Sequence, residues 1–429
     1  MVIKVRPLTI AIDAQVIPGS SGSIEQVLIG LVHGLGCLDD GSEKYIIIGP
    51  SENPLWLSSY LKPNQCIVSR RAPNQAPLDY AKKMLGPFRQ PLGRILRSIS
   101  SKNRKIVDSE VFSVPVSDNF YESLNADVLH FPYPLHFVKT IVPTVYSIYD
   151  LQHRHFPQFF TTEHLRFREA LLQQVFKLSR IIVTSARWVR DDLVKQYSLP
   201  LGKIVVAPLA APTIAYQAVN DESLSRVRQI YQLPDAFILY PAMTYQHKNH
   251  VGLLEALALL RDRDNIYIPL VCTGIQRHFW PYIQQRIKVL NLSKQVKFLG
   301  YLPPQDLRAL YRAARLLVFP SLFEGVGMPV LEAFYEQLPV ACSNIESFTE
   351  YAGDSALFFN PTSPAEIANA VNSLWHDANL RDQLRIRGLE RTQLYSWERT
   401  ARIYRAVYRS VAGCVLSLDD RLILQDSIC

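Results

Sequence analysis

The feature that most constrains this chain is its rhythm: short apolar, β-branched runs alternate with amphipathic helical stretches along nearly all of its 429 residues. Parallel strands demand such alternation, because each must be followed by a crossover long enough to return to the same edge of the sheet. In the first half the strand-like runs are 8–13, 44–49, 126–131, 143–150, 180–185 and 203–208, with helical patterns over 24–36, 164–178 and 187–197. Residues 208–235 carry Pro208, Pro212 and Pro234 and interrupt the rhythm. It restarts with runs at 237–242, 267–274, 295–301, 315–321, 338–342 and 356–360, and with helices expected from about 249, 279, 304, 329, 364 and 377.

A chain of this length exceeds what one hydrophobic core usually serves. The expectation is therefore an α/β protein of two Rossmann-like domains facing across a cleft, the first over 1–212 and the second over 213–395. In the remainder, 396–429, Trp397, Ala401, Tyr404, Tyr408 and Val411 share one helical face. That apolar stripe predicts a helix crossing back to the first domain, followed by a tail.

Composition excludes several classes. Apolar residues make up 48% and charged residues 20%, the balance of an ordinary globular protein. No apolar run approaches the roughly 20 residues that span a bilayer. The opening stretch leads into Asp13 without a small-residue cleavage site, so it reads as a strand and not as a signal peptide. The six cysteines are scattered, with no C-x-x-C pair, which points to reduced structural thiols and a cytoplasmic setting. The net charge of +8 is concentrated in residues 82–105, which hold eight Lys or Arg and no acid. Interspersed with apolar residues, such a segment suits peripheral contact with anionic headgroups on the inner face of a membrane; a solvated loop is the alternative. No nucleic-acid-binding motif accompanies the charge.

The chemistry concentrates in residues 316–344. An apolar strand runs to Ser321 and is followed by Glu324, Gly325, Val326, Gly327, Met328 and Pro329. Proline suits a first helical turn, the glycines allow close backbone approach, and the unpaired amides of a helix start attract phosphate or sugar oxygens. Glu324 and Glu332 bracket the turn, one in the loop and one on the helix, and each carboxylate can accept two hydroxyl hydrogen bonds. Here the chain resembles the retaining GT-B glycosyltransferases of group 1, whose signature is a pair of glutamates separated by seven residues. The resemblance implies that Glu332 holds a ribose and Glu324 lies near the donor sugar, with residues 325–328 in the donor site. Glu350 and Gly353 match a downstream pattern of the same family.

A second match covers residues 240–250, where Lys248 is expected at a helix start, neutralising the diphosphate leaving group; relatives often carry Arg at the position of Met243, with His247 or Asn249 as compensation here. A third, at the first helix, places Gly22 and Ser23 where two adjacent glycines are frequent, with a plain turn as the alternative. Around 145–160 the usual His-Asp is replaced by Tyr149 and Asp150. Asp150 and His153 are candidates for orienting acceptor or donor hydroxyls, a packed or surface histidine being the other reading of His153. Arg187 and Trp188 match the family without an evident role. The D-x-D of Asp262 and Asp264 precedes its strand, the wrong side for a metal-bound diphosphate, so neither a metal nor a cofactor is expected.

The resemblance implies a hexosyltransferase, mannose being favoured, that uses a nucleotide diphosphate sugar and a glycan or lipid-linked acceptor in surface polysaccharide synthesis, with Glu324, Lys248 and Asp150 catalytic. Two alternatives stand: a donor-binding partner subunit impaired by Met243, Ser23 and Tyr149, and a nucleotide-sugar epimerase of the same architecture.

Overall fold

The computed structural model describes residues 6–19, 22–70, 113–133, 136–212 and 218–428. The basic stretch 82–105 lies outside them.

The first sheet has seven parallel strands in the order β3-β2-β1-β4-β5-β6-β7. They are β1 (Thr9–Asp13), β2 (Lys44–Gly49), β3 (Gln65–Ser69), β4 (Val128–Phe131), β5 (Thr144–Ile148), β6 (Ile181–Thr184) and β7 (Ile204–Val206). The second sheet has six, in the order β10-β9-β8-β11-β12-β13: β8 (Ile238–Pro241), β9 (Leu270–Thr273), β10 (Val296–Phe298), β11 (Leu316–Phe319), β12 (Val340–Ser343) and β13 (Leu357–Phe359). Every pairing between these strands is parallel. Central strands such as β5 are buried throughout, which explains why they read as continuous apolar runs and not as alternating ones. Strand order reverses between β1 and β4 in one sheet and between β8 and β11 in the other. Crevices at the carboxyl ends of strands open at such reversals.

Helices cover the faces: α1 (Ser23–Gly36), α2 (Thr162–Leu178), α3 (Arg187–Tyr197), α4 (Asp221–Ile230), α5 (His250–Asp264), α6 (Trp280–Val289), α7 (Pro304–Ala313), α8 (Met328–Tyr335), α9 (Glu346–Ala352), α10 (Pro364–His376) and α11 (Ala378–Thr392). The chain then returns as α12 (Trp397–Val411), which packs on α1. Its fit relies on glycine: an added Cβ at Gly30 would lie 1.9 Å from the Trp397 ring, and one at Gly34 would lie 2.5 Å from the Trp397 carbonyl oxygen. Beneath the helix runs a buried polar chain. Tyr408 Oη lies 2.8 Å from His130 Nδ1, His130 Nε2 lies 2.8 Å from Ser147 Oγ, and Ser147 Oγ lies 3.1 Å from Tyr404 Oη. Burial lowers the His130 pKa to about 3, so the ring is neutral and both of its nitrogens serve in that chain.

Several elements were not legible in the pattern, among them α4, which lies in the proline-bearing stretch 208–235, and α9. Strand β3 is a half-exposed edge whose sequence, QCIVS, lacks an apolar run. The expected tail instead forms α13 (Leu418–Ile428), begun by Ser417, whose Oγ accepts the Asp420 amide at 3.0 Å. Asp420 in turn accepts Arg409 from α12, and Arg409 also reaches Glu43 at 2.7 Å.

The two domains meet through specific contacts. Ala186 offers α3 no side-chain cap, and Glu350 supplies one from across the interface, accepting the amides of Arg187 at 2.8 Å and Trp188 at 2.9 Å. Tyr351 donates to the Ser185 carbonyl at 2.6 Å and accepts the Leu209 amide at 3.0 Å. The Trp188 indole donates to the Gly325 carbonyl at 3.0 Å. Phe323 stands among His155, Phe156 and Trp188, with ring centroids 5.2–5.8 Å away. Arg187 and Trp188, without a role on sequence grounds, thus join the domains.

Two outcomes follow for chemical denaturation. Trp397→Ala should lose about 3–5 kcal/mol, as buried aromatic truncations do. Glu350→Ala should lose about 1 kcal/mol, the usual worth of a helix cap.

Candidate active site in the inter-domain cleft

A cavity of about 440 Å³ opens between the carboxyl ends of the two sheets. The second domain supplies Lys248 from the loop after β8, Glu324 from the loop after β11, and Met328 and Glu332 from α8. Gly22 and Ser23, at the uncapped start of α1, face them from the first domain.

Each side chain has a local reason for its place. Asn249 adopts φ +57 and caps α5 by accepting the Gly252 amide at 3.2 Å. Its amide nitrogen donates to the carbonyls of Pro320 at 3.0 Å and Pro361 at 2.8 Å, clamping the Lys248 loop onto the β11 loop. Lys248 Nζ consequently sits 2.5 Å from Glu324 Oε1, with both side chains mostly shielded from water. One turn into α8, Glu332 accepts the Tyr311 hydroxyl at 2.6 Å. Burial raises the Glu332 pKa, the Tyr311 bond partly offsets this, and neighbouring Glu336 adds to the rise. Glu336 is ion-paired with Arg308, which also lines the cavity.

The glycines of the signature act differently from expectation. Gly325, Val326 and Gly327 are not part of the cavity wall. A Cβ at Gly325 would lie 2.2 Å from the Tyr149 carbonyl oxygen, and Gly327, at φ +81, would place one 2.1 Å from the Phe348 ring. The close approach they permit is to the protein itself: Gly325 to the first domain, Gly327 to α9. No side chain caps the start of α8 that follows.

Asp150 and His153 also lie away from the cavity wall. The Asp150 carboxylate accepts the Gln152 amide at 2.9 Å and so starts a helical turn at Gln152–His155. His153 is buried, with Nε2 3.0 Å from Glu169 and 3.3 Å from Tyr197, a packing position that removes it from the cleft. Of the compensating pair, Asn249 is engaged as a clamp. His247 lines the cavity, but burial and adjacent Lys248 hold its pKa well below the ordinary value, so it brings no positive charge. Met243 reaches across the cleft: a Cβ at Gly22 would lie 2.4 Å from its terminal methyl. Asp262 and Asp264 end α5, each paired with the arginine before it, at the end of the sheet opposite the cleft. Among the described residues no group of three His, Cys, Asp or Glu is arranged to hold a metal.

Sequence reasoning missed Glu25, Tyr311 and Arg308. Glu25 accepts the Gly19 amide at 2.7 Å and lines the cavity, its pKa raised by burial. Tyr311 and Arg308 sit on α7, whose amphipathic pattern marks a packed helix but not which of its residues reach the cleft.

Residues 225–391 match the family model described as "Glycosyl transferases group 1". Over those residues the chain is similar to the group 1 glycosyltransferases. Among curated proteins it is 30% identical to the O-antigen chain mannosyltransferase B of Escherichia coli, over 56% of this chain and 64% of that protein. It is 34% identical to the serotype-specific mannosyltransferase WbdA of Escherichia coli, over 43% of this chain and 23% of that protein. The matches thus span less than two thirds of the length of these relatives. Two solved structures carry the same fold over nearly the whole chain. The sucrose-phosphate synthase of Thermosynechococcus elongatus aligns over 95% of this chain and 99% of its own, with a TM-score of 0.69 and 16% identity. Anabaena HepE, in complex with UDP and glucose, aligns over 94% and 100%, with a TM-score of 0.65 and 15% identity. The fold is GT-B, and the part that matches the family model contributes Lys248, Glu324 and Glu332 to the cleft.

The raised Glu332 pKa has a consequence for stability. A carboxyl whose folded pKa exceeds its unfolded value leaves the fold less stable once pH rises through the folded value, because the buried group must then ionise. Glu332→Gln should therefore gain stability over the wild type at neutral pH and little in acid, as urea denaturation at the two pH values would measure.

Proposed function

We propose that this protein is a retaining, metal-independent glycosyltransferase that moves a hexose, mannose by preference, from a nucleotide diphosphate sugar onto a glycan or lipid-linked acceptor in surface polysaccharide synthesis. One observation carries the reading: Lys248, distant in sequence, converges with Glu324 and Glu332 on one cleft at the strand reversal of the second sheet. The mannosyltransferase relatives support the choice of sugar and pathway.

In this reading the Lys248–Glu324 pair holds both charges ready before substrate arrives. A diphosphate competes for Lys248, which frees Glu324 to accept sugar hydroxyls, while Glu332 takes the ribose diol. The bond from the sugar anomeric carbon to the β-phosphate oxygen breaks, and the acceptor oxygen bonds that carbon on the same face. The acceptor proton passes to the departing β-phosphate oxygen. Lys248 and the uncapped starts of α1 and α8 bear the leaving group's negative charge without a cation. The protein's main contributions are position and charge neutralisation. Contact of residues 82–105 with an anionic inner membrane surface would bring the enzyme to a lipid-linked acceptor.

Purified protein incubated with a panel of GDP, UDP, ADP and dTDP sugars should release nucleotide when acceptor is added. Epimer formation would favour an epimerase, and binding without turnover would favour an inactive partner subunit. Lys248→Ala should lower turnover by about 10²–10³, the scale of losing one preorganised charge partner. Glu332→Ala should chiefly weaken donor binding. Unchanged affinity and turnover in both variants would remove the assignment.

A further inference from the structure

The strand reversal of the first sheet carries a polar cluster of its own. Asp13 ends β1, between β2 and β4, and its carboxylate is only 3% exposed. It accepts the Tyr121 hydroxyl at 2.6 Å and the Gln15 side-chain amide at 3.1 Å, and lies 3.4 Å from His136 Nε2. Burial opposes its ionisation, but His136 and Tyr121 outweigh burial and hold the carboxyl below its ordinary pKa. Asp13, Gln15 and His136, with the rings of Phe131 and Tyr133, enclose a recess of about 10 Å³. That is about the room one water or one hydroxyl takes up. Tyr133 also lines the main cleft, so the recess adjoins it. His136 remains about one third exposed, which leaves an edge of the cluster open to an incoming group.

We propose that Asp13 and His136, with Gln15 holding the Asp13 carboxylate in place, form a subsite that receives one hydroxyl of the acceptor, a pyranose whose ring lies against Tyr133. This deepens the transferase reading and rests on it for the word acceptor. The chemistry matches a sugar: a fixed carboxylate and an imidazole to exchange hydrogen bonds with a hydroxyl, an amide to hold the carboxylate in place, and an aromatic ring for the apolar C–H face. A phosphate would meet the Asp13 charge and be repelled. Placement adds to this: Lys248 and Glu324 flank the reversal of one sheet, and the Asp13 cluster sits at the reversal of the other, so donor and acceptor would enter from facing switch points. Tyr121 and Gln15 serve as positioning residues, acting through Asp13.

The full chain would be tested by saturation-transfer NMR with methyl α-mannoside, methyl α-glucoside and methyl α-galactoside, for the wild type, His136→Gln and Gln15→Ala. At least one glycoside should bind the wild type, with affinity at least tenfold lower in His136→Gln and reduced in Gln15→Ala. Nucleotide-induced thermal shifts with GDP and UDP should match the wild type in both variants, which distinguishes loss of the subsite from loss of fold. Glycoside binding should persist when GDP-mannose is added. No glycoside bound by the wild type, equal binding in the variants, or displacement by GDP-mannose would each overturn the subsite. Glycoside binding that the variants lose, in a protein that binds no nucleotide, would uphold the subsite and refute the transferase reading.

Discussion

A cleft between two separate sheets exists only if something holds their strand reversals face to face, and here a carboxylate at the end of another domain's helix does so. Glu350 caps α3 with two amide hydrogen bonds, Tyr351 bridges a carbonyl and an amide of the first domain, and Trp188 returns a hydrogen bond to Gly325. Orphan amides at a helix start must find acceptors, and in α3 they find them across the interface. The same contacts seat the Glu324 loop, because Gly325 lies directly on the Tyr149 carbonyl. Domain joining and site construction are therefore one event.

The second tie is α12. It leaves the second domain and packs on α1, the helix whose start faces the cleft. Salt links between α12 and the first domain, from Arg402 to Asp40 and from Arg409 to Glu43, lie outside the buried chain of His130, Ser147, Tyr404 and Tyr408. Glycines at 30 and 34 let the two helices meet without intervening side chains, which fixes the height of α1 relative to the cleft. Close-packed contacts of this kind have low compressibility and transmit strain.

Within the cleft the charges are balanced in pairs. Lys248 is paired with Glu324, and burial and Lys248 keep the neighbouring imidazole neutral. Arg308 is held by Glu336, one turn beyond Glu332. The positive groups are thus each matched to a carboxylate, an arrangement that avoids an unpaired charge in a poorly solvated place. An entering diphosphate would exchange one partner for another instead of creating a charge pair from nothing.

By itself the sequence determined the alternation of strands and helices, hence two parallel sheets, because the period of apolar residues and the need for crossovers are local facts. The spacing of Glu324 and Glu332 was legible for the same reason: both lie in one strand-turn-helix unit. The stripe from Trp397 to Val411 announced a helix needing a partner. What only the tertiary structure decided was which residues share the cleft. Asp150 and His153 follow a strand end as candidates should, yet a local amide claims the one and a buried network the other. The signature glycines invite a ligand by composition but are filled by Tyr149 and Phe348. Tyr311, Glu25 and the Asp13 cluster carry no motif; in that cluster Tyr121 lies 108 residues from Asp13 and His136 still further. Proximity between distant segments is set by how sheets and helices pack, and no local pattern encodes it.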